Sequence, residues 1–259
     1  MEAHDQHAAI WHVQHITMVD TTAVVARGFG GGFGLEYVGS LRQITTRIRF
    51  EDLDRRPIIV PDGDIHHRNE TLVGPGDPWL MAVKGWRVGP WSAALRGGIT
   101  IPLGKTEENP FELGRRGLPH QHIQFGTGTW DPLAGASVGR RFGEVMTMAS
   151  VVARLPVSEN SHGYRAGRRL SFTTAADRRI AGPWRVQAGV DYGHETAETW
   201  SGRIEEEGNL GRSDLLLSAG IARTFGSRAL ILTAKVPLRT RSNGEQIDYP
   251  AIVSLGWAP

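Results

Sequence analysis

The sequence predicts an all-β protein: an antiparallel up-and-down transmembrane β-barrel of about 12 strands, with 11 visible as segments of this 259-residue chain. Three observations predict it. Apolar and small or polar residues alternate with a period of two along many segments. The connections alternate between short Gly-containing turns and long polar loops. Aromatic residues (Trp79, Trp86, Trp91, Phe142, Trp184, Tyr192, Trp257) gather at segment ends, where two interfacial girdles would lie.

The alternation is clearest from Trp91 to Leu103. Trp91, Ala93, Leu95, Gly97, Ile99, Ile101 and Leu103 oppose Ser92, Ala94, Arg96, Gly98, Thr100 and Pro102. From Trp184 to Tyr192 an apolar set (Trp184, Val186, Ala188, Val190, Tyr192) opposes Arg185, Gln187, Gly189 and Asp191. Leu230 to Arg239 repeats the pattern, and further strands are expected at about 16–26, 33–50, 78–87, 122–141, 145–155, 164–176, 213–223 and 250–257. Short turns fall at Gly28–Gly32, Val88–Pro90, Phe142–Glu144, Ala181–Pro183 and Gly226–Ser227, and long loops at about 51–74, 104–120, 156–163, 195–212 and 240–249.

Composition narrows the alternatives. With 33 Gly and 14 Pro the chain is a poor helix former, because an interior Gly costs about 1 kcal/mol relative to Ala. The absence of Cys excludes disulfide scaffolds and thiolate metal sites. A formal net charge of +2 without any basic run excludes a nucleic-acid surface. Apolar stretches reach only about five residues, as at Trp79–Val83, far short of the roughly 20 that a spanning helix needs.

Residues 1–15 form a His-rich N-terminal segment and 16–259 the barrel domain. The first 18 residues hold no apolar core and so do not read as a secretory signal. The first strand enters a short turn and therefore descends. Either Met1 is an internal or miscalled start, preceded by an export signal and one more strand, or His7 to His15 forms a degenerate first strand.

Which face meets solvent decides the environment. Alternation alone fits both a soluble barrel with its apolar face inward and a membrane barrel with that face outward. Polar faces that carry Gly, Ser and Thr with arginines inside the strands, not the Lys and Glu of a solvated exterior, favour an apolar face that meets lipid. The lumen would then be lined by Arg42, Lys84, Arg96, Arg154, Arg165, Arg169, Arg185, Asp191, Lys235 and Arg239, with few acids beyond Glu36 and Asp191. Such a lumen would either favour anionic solutes or be filled by salt-bridge networks.

The segment Glu107-Glu108-Asn109-Pro110-Phe111-Glu112-Leu113-Gly114, the run from Leu118 to Pro132, Gly74-Pro75-Gly76-Asp77-Pro78-Trp79 and Ile101-Pro102-Leu103-Gly104 together resemble Gram-negative outer-membrane barrels of the transporter type. The nearest named group is the family labelled MetA-pathway phenol-degradation protein. The resemblance covers about residues 74–257 and implies a twelve-stranded outer-membrane barrel with a channel role, outer-membrane lipid and a small solute as partners, no cofactor and no catalytic residues. The chain departs from the family in ending Trp257-Ala258-Pro259, where an aromatic terminus is usual.

Three other motifs carry a chemical signal. Gly135-Ala136-Ser137-Val138-Gly139 matches a nucleophile elbow, but leads into a turn between strands where the motif requires a strand-to-helix turn. Gly98 to Thr106 has one residue too many for a phosphate loop and no following helix. His66 and His67, beside Asp62, Asp64 and Glu70, are metal-ligand candidates, as are His120 with His122 and the N-terminal histidines; the alternative is exposed or hydrogen-bonded loop side chains.

Overall fold

The computed structural model describes residues 11–59, 69–244 and 249–258. Its strands are β1 (Trp11–Gly30), β2 (Phe33–Glu51), β3 (Pro57–Ile58), β4 (Glu70–Pro75), β5 (Trp79–Val88), β6 (Trp91–Thr100), β7 (Pro132–Phe142), β8 (Val145–Arg154), β9 (Tyr164–Arg165), β10 (Arg169–Ala181), β11 (Trp184–Thr196), β12 (Thr199–Trp200), β13 (Gly211–Phe225), β14 (Arg228–Ser242) and β15 (Ile252–Ala258). A short helix, α1 (Pro110–Arg115), lies in the β6–β7 connection. Eleven strands form one antiparallel path in the order β1-β2-β5-β6-β7-β8-β10-β11-β13-β14-β15, with β3 and β4 paired to β2. The sheet is a curled, near-closed barrel. Because the path holds eleven antiparallel strands, its edges β1 and β15 run in the same direction, and antiparallel closure takes a strand opposed to both.

The turns follow from their glycines. At Gly89, Gly143, Gly182 and Gly226 φ is +54°, +58°, +48° and +65°, each at the first central position of a two-residue hairpin turn. Pro90 and Pro183 follow two of these glycines and cannot take positive φ, which matches the Gly-first type II′ hairpin. Gly98 serves a different need: a Cβ there would run into the Leu80 carbonyl and Met81 Cα of the neighbouring strand.

Alternation survives intact in three dimensions. In β6, Trp91, Leu95 and Ile99 are exposed while Ser92, Arg96 and Thr100 are not. Large aliphatics stand open on one face around the sheet, with Leu95 55 %, Leu232 47 % and Val253 69 % exposed, against 2 % for Met81 on the other. The enclosed face is the inner one. Its side chains reach across an intervening strand, as when Gln187 on β11 donates to Thr233 on β14 at 2.9 Å over Gly220.

Several expected boundaries shift. The strand expected at 122–141 begins only at Pro132, because the preceding residues spend their polar groups on loop contacts. The strand expected at 164–176 divides into β9, which pairs with β12, and β10. Trp91–Leu103 stops at Thr100, before Pro102. The first strand begins at Trp11, so residues 11–15 belong to the sheet.

Candidate functional site

The inner face is built from ion pairs set by strand register. Arg96 on β6 reaches over β5 to Glu36 on β2, Nε to Oε2 at 3.1 Å, and donates to Ser137 Oγ on β7 at 3.0 Å. Arg42 bonds Asp20 at 2.9 Å through directly paired residues of β2 and β1. Arg185 bonds Asp177. Lys235 crosses β13 to Asp191 at 2.9 Å, and Thr173 Oγ1 donates to the same carboxylate oxygen at 2.9 Å. Arg169 meets Glu195 at 2.7 Å and Arg212 meets Asp214 at 2.7 Å.

Of the expected lumen residues, Arg42, Arg96, Arg154, Arg169, Arg185, Asp191 and Lys235 share this enclosed face. Three lie elsewhere. Lys84 pairs with Leu95 and Phe33 on the outward face, its ammonium 3.8 Å from the Phe33 ring centre and donating to the Gly31 carbonyl. An amphipathic stem lets the charge leave the apolar wall at its rim. Arg239 is turned outward beside Leu215 by a register shift that leaves Leu238 unpaired. Arg165 belongs to the β9–β12 ribbon outside the main sheet.

The acids Asp20, Asp177, Glu195 and Asp214 were not anticipated. Their signal was present as parity, since Asp177 shares its spacing with Arg169, Ser171 and Thr173. Ser137 sits in mid-strand as the acceptor from Arg96, not on an elbow. His66 and His67 lie outside the described residues. His120 and His122 stack edge to face at 5.1 Å, and among the described residues no three His, Asp or Glu side chains group to hold a metal.

The long β6–β7 connection, residues 101–131, is anchored at both ends. Asp77 accepts from Gly104 N at 2.8 Å, Thr127 N at 2.6 Å and Thr127 Oγ1 at 3.0 Å. Phe125 packs on Gly74, which pairs with Arg42 and so shares the enclosed face. Thr100 and Asp131 have no exposure; Asp131 N donates to Thr100 Oγ1 at 2.9 Å, and Thr129 Oγ1 donates to the Asp131 carboxylate at 2.6 Å. On the far side Asn160 Nδ2 donates to the Thr127 carbonyl at 3.1 Å. The segment thus lies across the loop-side end of the inner face, where Ile44, Thr46 and Leu133 are also buried.

Helix α1 closes this cap. Asn109 Oδ1 accepts from Phe111 N and Glu112 N, and Pro110 opens the first turn. Phe111 meets Trp200 edge to face at 6.1 Å, and Trp200 meets Tyr164 at 4.8 Å with the rings tilted by 45°. Glu198 sits beneath, accepting from Trp200 Nε1 at 3.1 Å. Burial pushes the Glu198 carboxyl above the ordinary glutamate range, with Glu195 adding to the rise. Hydrogen bonds from Trp200, the Asn209 backbone and Tyr164 offset part of it. Burial likewise raises the Tyr164 phenol.

A raised folded-state pKa means the folded cap binds the proton more tightly than the unfolded chain. Its stabilisation is complete below the ordinary glutamate value and is lost as pH rises through the folded value. Hydrogen-exchange protection of residues 198–203 is therefore expected to be higher at pH 5 than at pH 7, and Glu198→Gln to flatten that dependence. Protection that instead rises with pH in the native protein would contradict the assignment.

Comparison with solved structures places this architecture. An outer-membrane channel from Pseudomonas putida F1 aligns with a TM-score of 0.57 at 11% identity, over 94% of this chain and 81% of that one. The chain shares that channel's fold. OmpT, an outer-membrane protein of Vibrio cholerae, aligns in its trimer form with a TM-score of 0.45 at 7% identity, covering 96% and 99% of the two chains. A second structure of OmpT gives 0.42 at 7% identity over 98% and 97%. No protein-family model matches the chain, and no curated protein matches it in sequence.

Proposed function

We propose that the chain is a bacterial outer-membrane channel that passes small solutes passively. The observation that carries this is the inversion of the two faces. Leucines, valines and isoleucines lie open on the outside around the sheet, while charged pairs are held within. Water makes the reverse arrangement favourable, at about 25 cal/mol per Å² of apolar surface removed from it, so an outward apolar wall fits a hydrocarbon surrounding. Strands β5, β6 and β8 have ten residues each, the length needed to cross a bilayer at a tilt of about 45°. The segments 74–79, 101–104, 107–114 and 118–132 support the same reading through their resemblance to the transporter-type barrels labelled MetA-pathway phenol-degradation protein.

Selectivity would come from the cations left over after pairing. Arg87, Arg141 and Arg179 lie on the inner parity near the short turns, and Arg154 lies at the opposite end. Among the described residues none of the four has a carboxylate within 4.0 Å. The surplus favours small anionic solutes. In planar bilayers the protein is expected to give discrete, anion-favouring conductance, and Arg141→Glu with Arg179→Glu to shift the reversal potential toward cations. A folded, heat-modifiable barrel that conducts nothing would overturn the channel reading.

A further inference from the structure

The outward face near the short turns carries a repeated arrangement that solute passage does not use. Four cations there stand over aromatic rings. Arg27 lies 6.0 Å from the Phe29 ring centre, and Lys84 lies 3.8 Å from Phe33 and 6.0 Å from Trp86. Arg140 lies 4.8 Å from Trp91 and 4.4 Å from Phe142, and Arg223 lies 5.4 Å from Trp184 and 4.8 Å from Phe225. Each cation belongs to a different strand, β1, β5, β7 or β13, and each precedes its turn by a few residues. Arg178 and Arg228 add two more charges on the same parity, at the ends of β10 and β14. Among the described residues the acid facing this rim is Glu144, exposed and 3.9 Å from Arg178.

Stacking occupies the flat face of a guanidinium and leaves its N–H edge unspent. Among the described residues no acceptor bonds the side chains of Arg27 or Arg223, and the buried Nε of Arg140 has no partner. Such donors beside an apolar wall call for an acceptor with negative charge and a hydrocarbon tail. Arg140 also stands at one end of a shallow furrow of about 530 Å³ in that wall, lined by Trp91, Val138, Ala149, Ala176, Ala188 and Leu217. Aligned rows of small side chains on β8, β10 and β11 leave it open beside the bulkier Trp91 and Leu217. In barrels of this kind the short turns face the periplasm, so the rim lies at the headgroups of the inner leaflet.

We propose that this collar binds the headgroups of anionic phospholipids, the phosphate on the ring-stacked cations and, at Arg140, an acyl chain along the furrow; this rests on the membrane reading above. The full chain is reconstituted in phosphatidylcholine vesicles holding equal mole fractions of phosphatidylglycerol or further phosphatidylcholine, one of them with brominated chains. Quenching of tryptophan fluorescence then reports which lipid lies at Trp86, Trp91 and Trp184. Brominated phosphatidylglycerol is expected to associate roughly threefold to fivefold more strongly, less so at high salt. The triple variant Arg27→Gln, Arg140→Gln, Arg223→Gln should lose that preference, and Arg239→Gln with Arg241→Gln, at the opposite rim, should keep it. Quenching without headgroup preference in the native protein overturns the collar alone. A preference lost in the opposite-rim variant and kept in the triple variant also overturns it. Absence of quenching by either lipid overturns the membrane reading beneath it.

Discussion

Replacing Asp77 with alanine is expected to convert a narrow, steady conductance into a larger and flickering one. Asp77 holds residues 101–131 across the enclosed face through the backbone N–H groups of Gly104 and Thr127 and the Thr127 hydroxyl. Alanine removes both acceptor oxygens, and with them all three hydrogen bonds, and leaves two partly buried N–H groups unsatisfied, each costing about 1–3 kcal/mol. Even about 3 kcal/mol would raise the open population of the segment by roughly a hundredfold, at about 1.4 kcal/mol per factor of ten. Single-channel recording checks this, with Asp77→Asn, which keeps one oxygen acceptor, expected to fall between. If Asp77→Ala records cannot be told from native ones, the segment does not limit flow.

The second large effect is expected on ion selectivity, from removing acids instead of bases. Asp177→Asn frees Arg185, and Asp191→Asn frees Lys235, each without changing side-chain size. An unpaired charge about 10 Å from a passing ion in a water-filled lumen is worth about 0.4 kcal/mol, favourable to an anion and unfavourable to a cation. The anion-to-cation permeability ratio should therefore rise about fourfold for each substitution, and the gain should shrink at high salt. Reversal potentials in a salt gradient measure it. A ratio unchanged by either substitution would show that these pairs do not face the permeation path.

The strongest elements were legible because their alternation is unbroken. Trp184–Tyr192 and Leu230–Leu238 keep one face apolar, and both are strands in the structure. Residues 122–131 imitated a strand because glycines and polar residues alternate there with larger side chains. Their backbone groups are instead satisfied by Lys105, Asp77, Asn160 and one another, which no local pattern announces. Lys84 was misplaced although its spacing with Leu80, Ala82 and Trp86 marks the outward face. Arg239 could not have been placed by spacing, since one unpaired residue, Leu238, reverses the parity that follows it.

The same division runs through the protein as a whole. Local chemistry alone determined that the chain forms antiparallel strands, that tight turns fall at Gly89, Gly143, Gly182 and Gly226, and which side chains share a face wherever a strand runs without a register shift. These follow from backbone sterics and a period of two, both contained within a few neighbouring residues. Only the tertiary structure decided which cations of the enclosed face meet a carboxylate and that one loop lies across the end of the barrel. Arg96 and Glu36 are sixty residues apart in sequence, and register across β5 brings them to 3.1 Å. Coulomb attraction depends on that separation in space, which the order of residues along the chain does not contain.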